Sequence, residues 1–326
     1  SMASLAKGSF LNWFEYHFKI KDRVKQRMQK LGESRQQAWD ALQAEWAEHD
    51  QLNKDLESFT SPPANVACTT QSVALMFLTI APLQQETVWM NWFKQARPDQ
   101  HEILVHNDKG GSLGELGRKA RSINPPTRTG WATSGLVRAT ILLLREALKN
   151  PCNSHFVLLS NSDLPVLSFP EFYESITASK QSRFNKFGLN WDEQLGRTVW
   201  QGPDGEHWSG CTRPGCFSKA DQWSMWVRED AQFFAENNFL KYLKPKALFV
   251  DEPYFVEIMH QYDRPFENKS VTYTEWKFAA DSPCTFSGTV SDDVIDKARK
   301  SGSWFLRKVT ADAELSERYK ESVRVL

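Results

Sequence analysis

Residues 134–160 read SGLVRATILLLREALKNPCNSHFVLLS. The first sixteen of them, 134–149, form an amphipathic pattern at helical spacing, with no Gly or Pro after its start. Asn150-Pro151 stops that helix. Phe156-Val-Leu-Leu-Ser160 then reads as a strand. Working outward, Val73-Ala-Leu-Met-Phe-Leu-Thr79 is a continuous apolar run, as expected of a strand buried on both faces. Gln85 to Lys94 has helical spacing, and Ile103-Leu-Val-His106 is a second buried strand. Strand, helix, strand, helix, strand is the order of a parallel sheet with crossover helices. Ligands of such sheets sit at the carboxyl ends of the strands. The loops after Thr79, His106 and Ser160 are therefore the expected rim of a site.

Upstream, residues 10 to about 58 read as helix, with Phe10, Trp13, Phe14, Phe18, Leu42, Trp46 and Leu52 among many charges. Ser61-Pro62-Pro63 ends this segment as a linker. The expected organisation is an N-terminal helical extension over 1–60 and a main domain over 66–326. Downstream the alternation is less regular: helices near 221–238 and 252–262, and short strands near 271 and 304.

The bulk properties exclude several functions. With 40 Lys+Arg and 40 Asp+Glu the formal net charge is zero, so no broad field draws nucleic acid or anionic membrane. No run approaches the roughly 20 apolar residues that span a bilayer. Five Cys are too few for a disulfide scaffold, and the odd number leaves at least one unpaired within the chain. Cys211 and Cys216 are spaced for a short bridge. Asn268-Lys-Ser270 is a glycosylation sequon. There is no P-loop, dinucleotide fingerprint, nucleophile elbow or paired metal-ligand spacing.

Four segments place polar groups where a parallel sheet would present a ligand. Asp108 follows the His106 strand end, where a carboxylate accepts hydrogen bonds from a uracil N–H or ribose hydroxyls. Ser160-Asn-Ser-Asp163-Leu-Pro165 places Asp163 either on sugar hydroxyls or as a cap of the next turn. It is not an Asp-x-Asp metal clamp, because position 161 is Asn. Val250-Asp251-Glu252-Pro253-Tyr254-Phe255 opens an apolar helix, and a carboxylate at a helix N-terminus is held ionised, as a general base must be. Trp304-Phe-Leu-Arg307-Lys308 puts two cations after an apolar strand, suited to neutralising a diphosphate as it departs.

Together these segments resemble the core-2/I-branching β-1,6-N-acetylglucosaminyltransferase family (glycosyltransferase family 14), from about Val73 to Val309. Phe156 to Pro165 with Phe169 is the most specific match. Ser218-Lys219-Ala-Asp-Gln222-Trp223 is similar to the family's "GSQW" segment, and Asp251-Glu252-Pro-Tyr254-Phe255 to its "PDE" motif. Val271-Thr-Tyr-Thr-Glu-Trp276 resembles its acceptor-side Trp motif. Phe305-Leu-Arg307-Lys308 resembles its C-terminal "FARKF". The wording at 73–83 and 304–308 is nearer the plant-like branch.

The resemblance implies a GT-A-like α/β fold with a mostly parallel central sheet flanked by helices. It also implies an inverting, metal-independent transfer of a sugar from a UDP-sugar to a glycan hydroxyl, with no cofactor. N-acetylglucosamine, xylose and glucuronic acid all stand as donors. Glu252 becomes the general base. Thr79, Asp108, Trp131, Arg307 and Lys308 become the donor-nucleotide contacts. Asp163, Trp223, Asp251, Trp276 and Arg183 become sugar or acceptor contacts, with Lys180 and Lys186 as further cations for the phosphates. The alternative is a catalytically silent glycan-binding or scaffold protein on the same fold. A Golgi or secretory lumenal location is expected if an anchor precedes this sequence, and a cytoplasmic one if Met2 is the native start.

Overall fold

The computed structural model describes residues 34, 36, 37, 40, 59–61, 68–107, 113–123, 127, 129, 130, 133–187, 218–243, 250–277 and 283–325. Its first half contains β1 (Ser72–Thr79), α1 (Glu86–Phe93), β2 (His101–Asn107), α2 (Gly114–Lys119), β3 (Arg121–Ser122), α3 (Ser134–Leu148) and β4 (Asn153–Ser160). β5 (Leu164–Pro165), α4 (Phe169–Thr177), β6 (Ser182–Arg183), β7 (Lys186–Phe187), β8 (Lys219–Ala220), β9 (Met225–Val227), α5 (Arg228–Glu236) and α6 (Tyr254–Gln261) follow. The chain ends with β10 (Phe266–Glu267), β11 (Thr272–Thr274), β12 (Thr289–Val290), α7 (Asp292–Lys300), β13 (Phe305–Arg307), β14 (Glu314–Leu315) and α8 (Glu317–Val323).

β1 sits inside a seven-stranded sheet of order β10-β6-β9-β4-β1-β2-β3. It runs parallel to β2 and β4, and only β9 opposes its neighbours β4 and β6. The expectation of an α/β fold with a mostly parallel central sheet flanked by helices holds. Along β1, Ala74, Met76 and Leu78 join the core on the α3, α5 and α6 side. Val73, Leu75 and Phe77 join the core on the side of α1, α4, α7 and α8. A strand covered on both faces has no polar side to show, which is why its sequence does not alternate. Most of the described tryptophans belong to the core: Trp89, Trp92, Trp226 and Trp304 are fully buried, and among the described residues only Trp276 is exposed.

Two expectations are corrected. The helix expected over 221–238 starts only at Arg228, because residues 225–227 are strand β9. Met225 and Trp226 fill opposite faces of the sheet between β4 and β6, and strand pairing overrides the helical pattern. The helix expected over 252–262 begins at Tyr254, with Pro253 at its N-cap. The structure also pairs two cysteines: Cys68 and Cys152 form a disulfide, with Cα atoms 5.5 Å apart and the residues 84 positions apart in sequence. It ties the chain just before β1 to the α3–β4 turn. In the chain-entropy model a loop of that size stabilises the fold by about 4 to 5 kcal/mol. Cys284 is a free thiol; Cys211 and Cys216 lie outside the described residues.

Most of the expected helical extension also lies outside the described residues. Gln36, Gln37 and Asp40 are helical, and Ser34 and Gln37 exchange reciprocal cap bonds of 2.8 and 3.3 Å. Phe59 packs on the α3–α5 core under the Arg145 guanidinium, 5.2 Å from its ring. The Ser61 N–H donates to Glu236 Oε1 at 3.1 Å, so the first residue of the expected linker is docked on α5. Among the described residues no helix is long and apolar enough to cross a membrane.

Candidate functional site

Topology gathers the polar segments. β4 ends at Ser160, and the turn behind it is closed by Asp163, whose Oδ2 accepts the Ser160 N–H. Because β9 runs antiparallel to β4, the residues just before β9 arrive at that same carboxyl end, where Leu158 N–H donates to Ser224 O at 3.0 Å. Asp221 and Trp223 are thereby delivered to the rim. A second sheet, β11-β13-β5, brings Arg307 alongside, since β13 pairs with β5 just past Asp163. The Arg307 Nε donates to Ser160 Oγ at 3.1 Å. Its guanidinium lies 4.3 Å from the centre of the Trp223 ring. Among the described residues its terminal Nη atoms hold no hydrogen bond.

The third arm is β8. Ser218 N–H donates to Glu257 Oε1 at 3.2 Å and Ala220 N–H to the Glu252 carbonyl at 3.0 Å. Between them, Lys219 Nζ lies 2.8 Å from Glu252 Oε2. These contacts fix the 251–253 turn against β8. Asp221, next along the chain, is held by the Asn185 amide at 2.6 Å.

The result is an alternation of charges: Asp163, Arg307, Asp221, Lys219 with Glu252, then Asp251. Burial pushes the Asp163 carboxyl up to about 6, against the pull of Arg307 and the Ser160 N–H. Burial also raises Asp221 to about 6, with Asn185 opposing and Glu252 adding to the rise. Asp251 reaches about 7, through burial and then the neighbouring Glu252 charge. Burial works against the Arg307 charge, and Asp163 and Asp221 support it. Asp163 Oδ1 is buried and has no hydrogen-bond partner among the described residues, an arrangement that costs stability and is common where a ligand completes the site.

Of the residues expected from sequence, Glu252, Asp251, Asp163, Trp223 and Arg307 meet here. Glu252 and Asp251 precede the α6 N-cap instead of occupying its first turn. The near partner of Glu252 is therefore Lys219, in place of the expected helix dipole, which acts over about one turn. Trp223 is buried with a cation over its ring, so it seats Arg307 instead of offering a free platform. Lys308 follows β13, its carbonyl accepting from Phe286 N–H at 2.7 Å. Trp276 stands two residues past Thr274, the register partner of Arg307, and is 54% exposed. Thr79 ends β1 and spends its hydroxyl on the Ala81 backbone.

Arg183 is not brought to the cluster. It is buried with its guanidinium 4.0 Å from the Trp304 ring centre and its Nε 3.1 Å from Glu267 Oε2. Lys186 Nζ lies 3.0 Å from His260 Nε2. Asp108 and Trp131 lie outside the described residues. Sequence reasoning missed Lys219, Asp221, Asn185 and Ser160 as members of the site. Lys219 and Asp221 stand inside the quoted "GSQW"-like segment, which was the only signal for them. Among the described residues no three His, Cys, Asp or Glu side chains are grouped as a metal site.

The carboxyl rim of this α/β sheet, where such sheets bind their ligands, gathers carboxylates, a lysine and an arginine. The chain belongs to the core-2/I-branching enzyme family, whose model matches residues 73–299. It is similar to glycosyltransferase BC10 of rice (Oryza sativa subsp. japonica), with 25% identity over 224 residues, 65% of this chain and 50% of the rice protein. The plant-like side of the family is thus where the similarity lies. The chain spans about half the length of that relative. Among solved structures, the apo form of the bifunctional glycosyltransferase WbbM is 12% identical, over 78% of this chain and 48% of that one, with a TM-score of 0.39. That likeness is too distant to carry an argument.

Proposed function

We propose that this chain transfers a sugar from a UDP-sugar to a glycan hydroxyl in a single inverting displacement that needs no metal. Glu252 takes the proton of the attacking hydroxyl as its oxygen bonds to the anomeric carbon, and UDP leaves from the opposite face. Arg307 and Lys308 neutralise the diphosphate as its charge develops. Asp163, Asp251 and Trp276 are the sugar and acceptor contacts, and Asp108 and Trp131 the nucleoside contacts. N-acetylglucosamine, xylose and glucuronic acid remain the donor candidates. The carrying observation is one rim that holds Glu252, engaged by Lys219 at 2.8 Å, and Arg307, whose Nη atoms hold no hydrogen bond among the described residues. The Cys68–Cys152 disulfide favours the lumenal location over the cytoplasmic one.

The test is a thermal-shift screen with UDP and a panel of UDP- and GDP-sugars in EDTA. Ligand at a hundred times its dissociation constant adds about 2.7 kcal/mol of stability. Stabilisation by UDP and one UDP-sugar in EDTA is the expected result. A shift that needs Mn²⁺ would remove the metal-independent step. No shift with any nucleotide, with or without metal, would favour a silent glycan-binding protein.

A further inference from the structure

The Glu252 carboxylate lies in a neighbourhood of its own sign. Asp251 precedes it in the chain, and Asp221 lies close enough for the two carboxylates to repel. Glu257, one turn into α6, is engaged by the Ser218 N–H. Arg307 is shared between Asp163 and Asp221. Across the β7–β8 pair, Lys186 faces His260. Among the described residues, the cation in contact with Glu252 is Lys219, at 2.8 Å, and both side chains are largely shielded, at 21% and 30% exposure. The contact is not a loose surface pair. The backbone of Ser218 is anchored on Glu257 of α6 and that of Ala220 on the Glu252 carbonyl, so the ammonium is carried by a segment bonded on either side, once to α6 and once to its target residue.

We infer that Lys219 is a positioning residue for the proposed base: it fixes the Glu252 carboxylate on the rim and sets which oxygen remains free to face the acceptor. The inference rests on the reading of Glu252 as base. Oε2 is taken by the ammonium, which leaves Oε1 for the acceptor hydroxyl. Removing the ammonium frees the carboxylate to turn away from Asp251 and Asp221, which repel it.

The experiment compares the pH–rate profiles of wild type, Lys219→Met, Lys219→Arg and Glu252→Gln, each with its UDP-induced thermal shift. In Lys219→Met kcat should fall about tenfold or more across the profile, because the carboxylate is no longer held in one orientation, with the UDP shift unchanged. Lys219→Arg should restore most of the rate. An inactive Glu252→Gln beside a Lys219→Met profile that superimposes on wild type would overturn the inference and leave the base assignment standing. So would loss of the UDP shift in a folded Lys219→Met, which would make Lys219 a donor ligand. An active Glu252→Gln would remove the base assignment, and the inference with it.

Discussion

Between Ser72 and Ser160 the fold rests on β1, β2 and β4, each seven or eight residues long and paired in parallel. From Asn161 to Arg307 the strands among the described residues are two or three residues long. There the chain is positioned by side chains: Arg307 on Ser160, Lys219 on Glu252, Asn185 on Asp221, Arg183 on Glu267. The first region buries apolar surface and holds its shape without buried charge along β1. The second buries ionisable groups, which is unfavourable unless each is compensated. The fold therefore concentrates stability in one region and reactivity in the other, and the two should fail independently.

The strongest separation is expected for Phe156→Ala. Phe156 is fully buried on β4, in register with Ala74 of β1 and Trp226 of β9. Its loss should cost about 3 to 5 kcal/mol in denaturant unfolding. UDP affinity of the folded fraction should be unchanged, and a parallel loss of affinity would join the two regions. A smaller effect of opposite sign is expected for Asp251→Asn. Folding raises the Asp251 carboxyl to about 7 from an ordinary value of 3.8. Its contribution to stability is fully present below about pH 4 and is lost as pH rises through about 7. The Asn variant should match wild type near pH 4 and exceed it at pH 8 by about 1 to 2 kcal/mol, allowing for partial exposure. Equal melting curves at both pH values would show that the cluster does not strain the fold. Trp276→Ala should change stability by less than about 0.5 kcal/mol, since the ring is exposed. Its expected effect is a rise of about 3- to 10-fold in acceptor KM, and an unchanged KM would remove Trp276 from the site.

The same division decides what could be read from the sequence. Val73–Thr79, Ile103–His106 and 134–160 announce themselves, because burial on two faces and a helical stripe leave local patterns. The site does not, because its contacts join residues far apart in the chain. Lys219 and Glu252 are 33 residues apart, and Ser160 and Arg307 are 147 apart. No periodicity encodes either pair. Glu252 and Arg307 were legible as polar groups beside apolar runs, and their shared rim only through the family resemblance. Arg183 shows the converse: the family resemblance implied a ligand contact there, while the fold commits it to Trp304 and Glu267. The Cys68–Cys152 pairing was invisible for the same reason, since their separation of 84 residues carries no spacing signal.

The most direct test of the central claim is to measure donor binding and turnover together in Glu252→Gln. The side chain keeps its size and loses its basicity, so the UDP-induced thermal shift in EDTA should match wild type while kcat falls by about a hundredfold or more. A variant that binds UDP and still turns over at the wild-type rate would show that Glu252 is not the base.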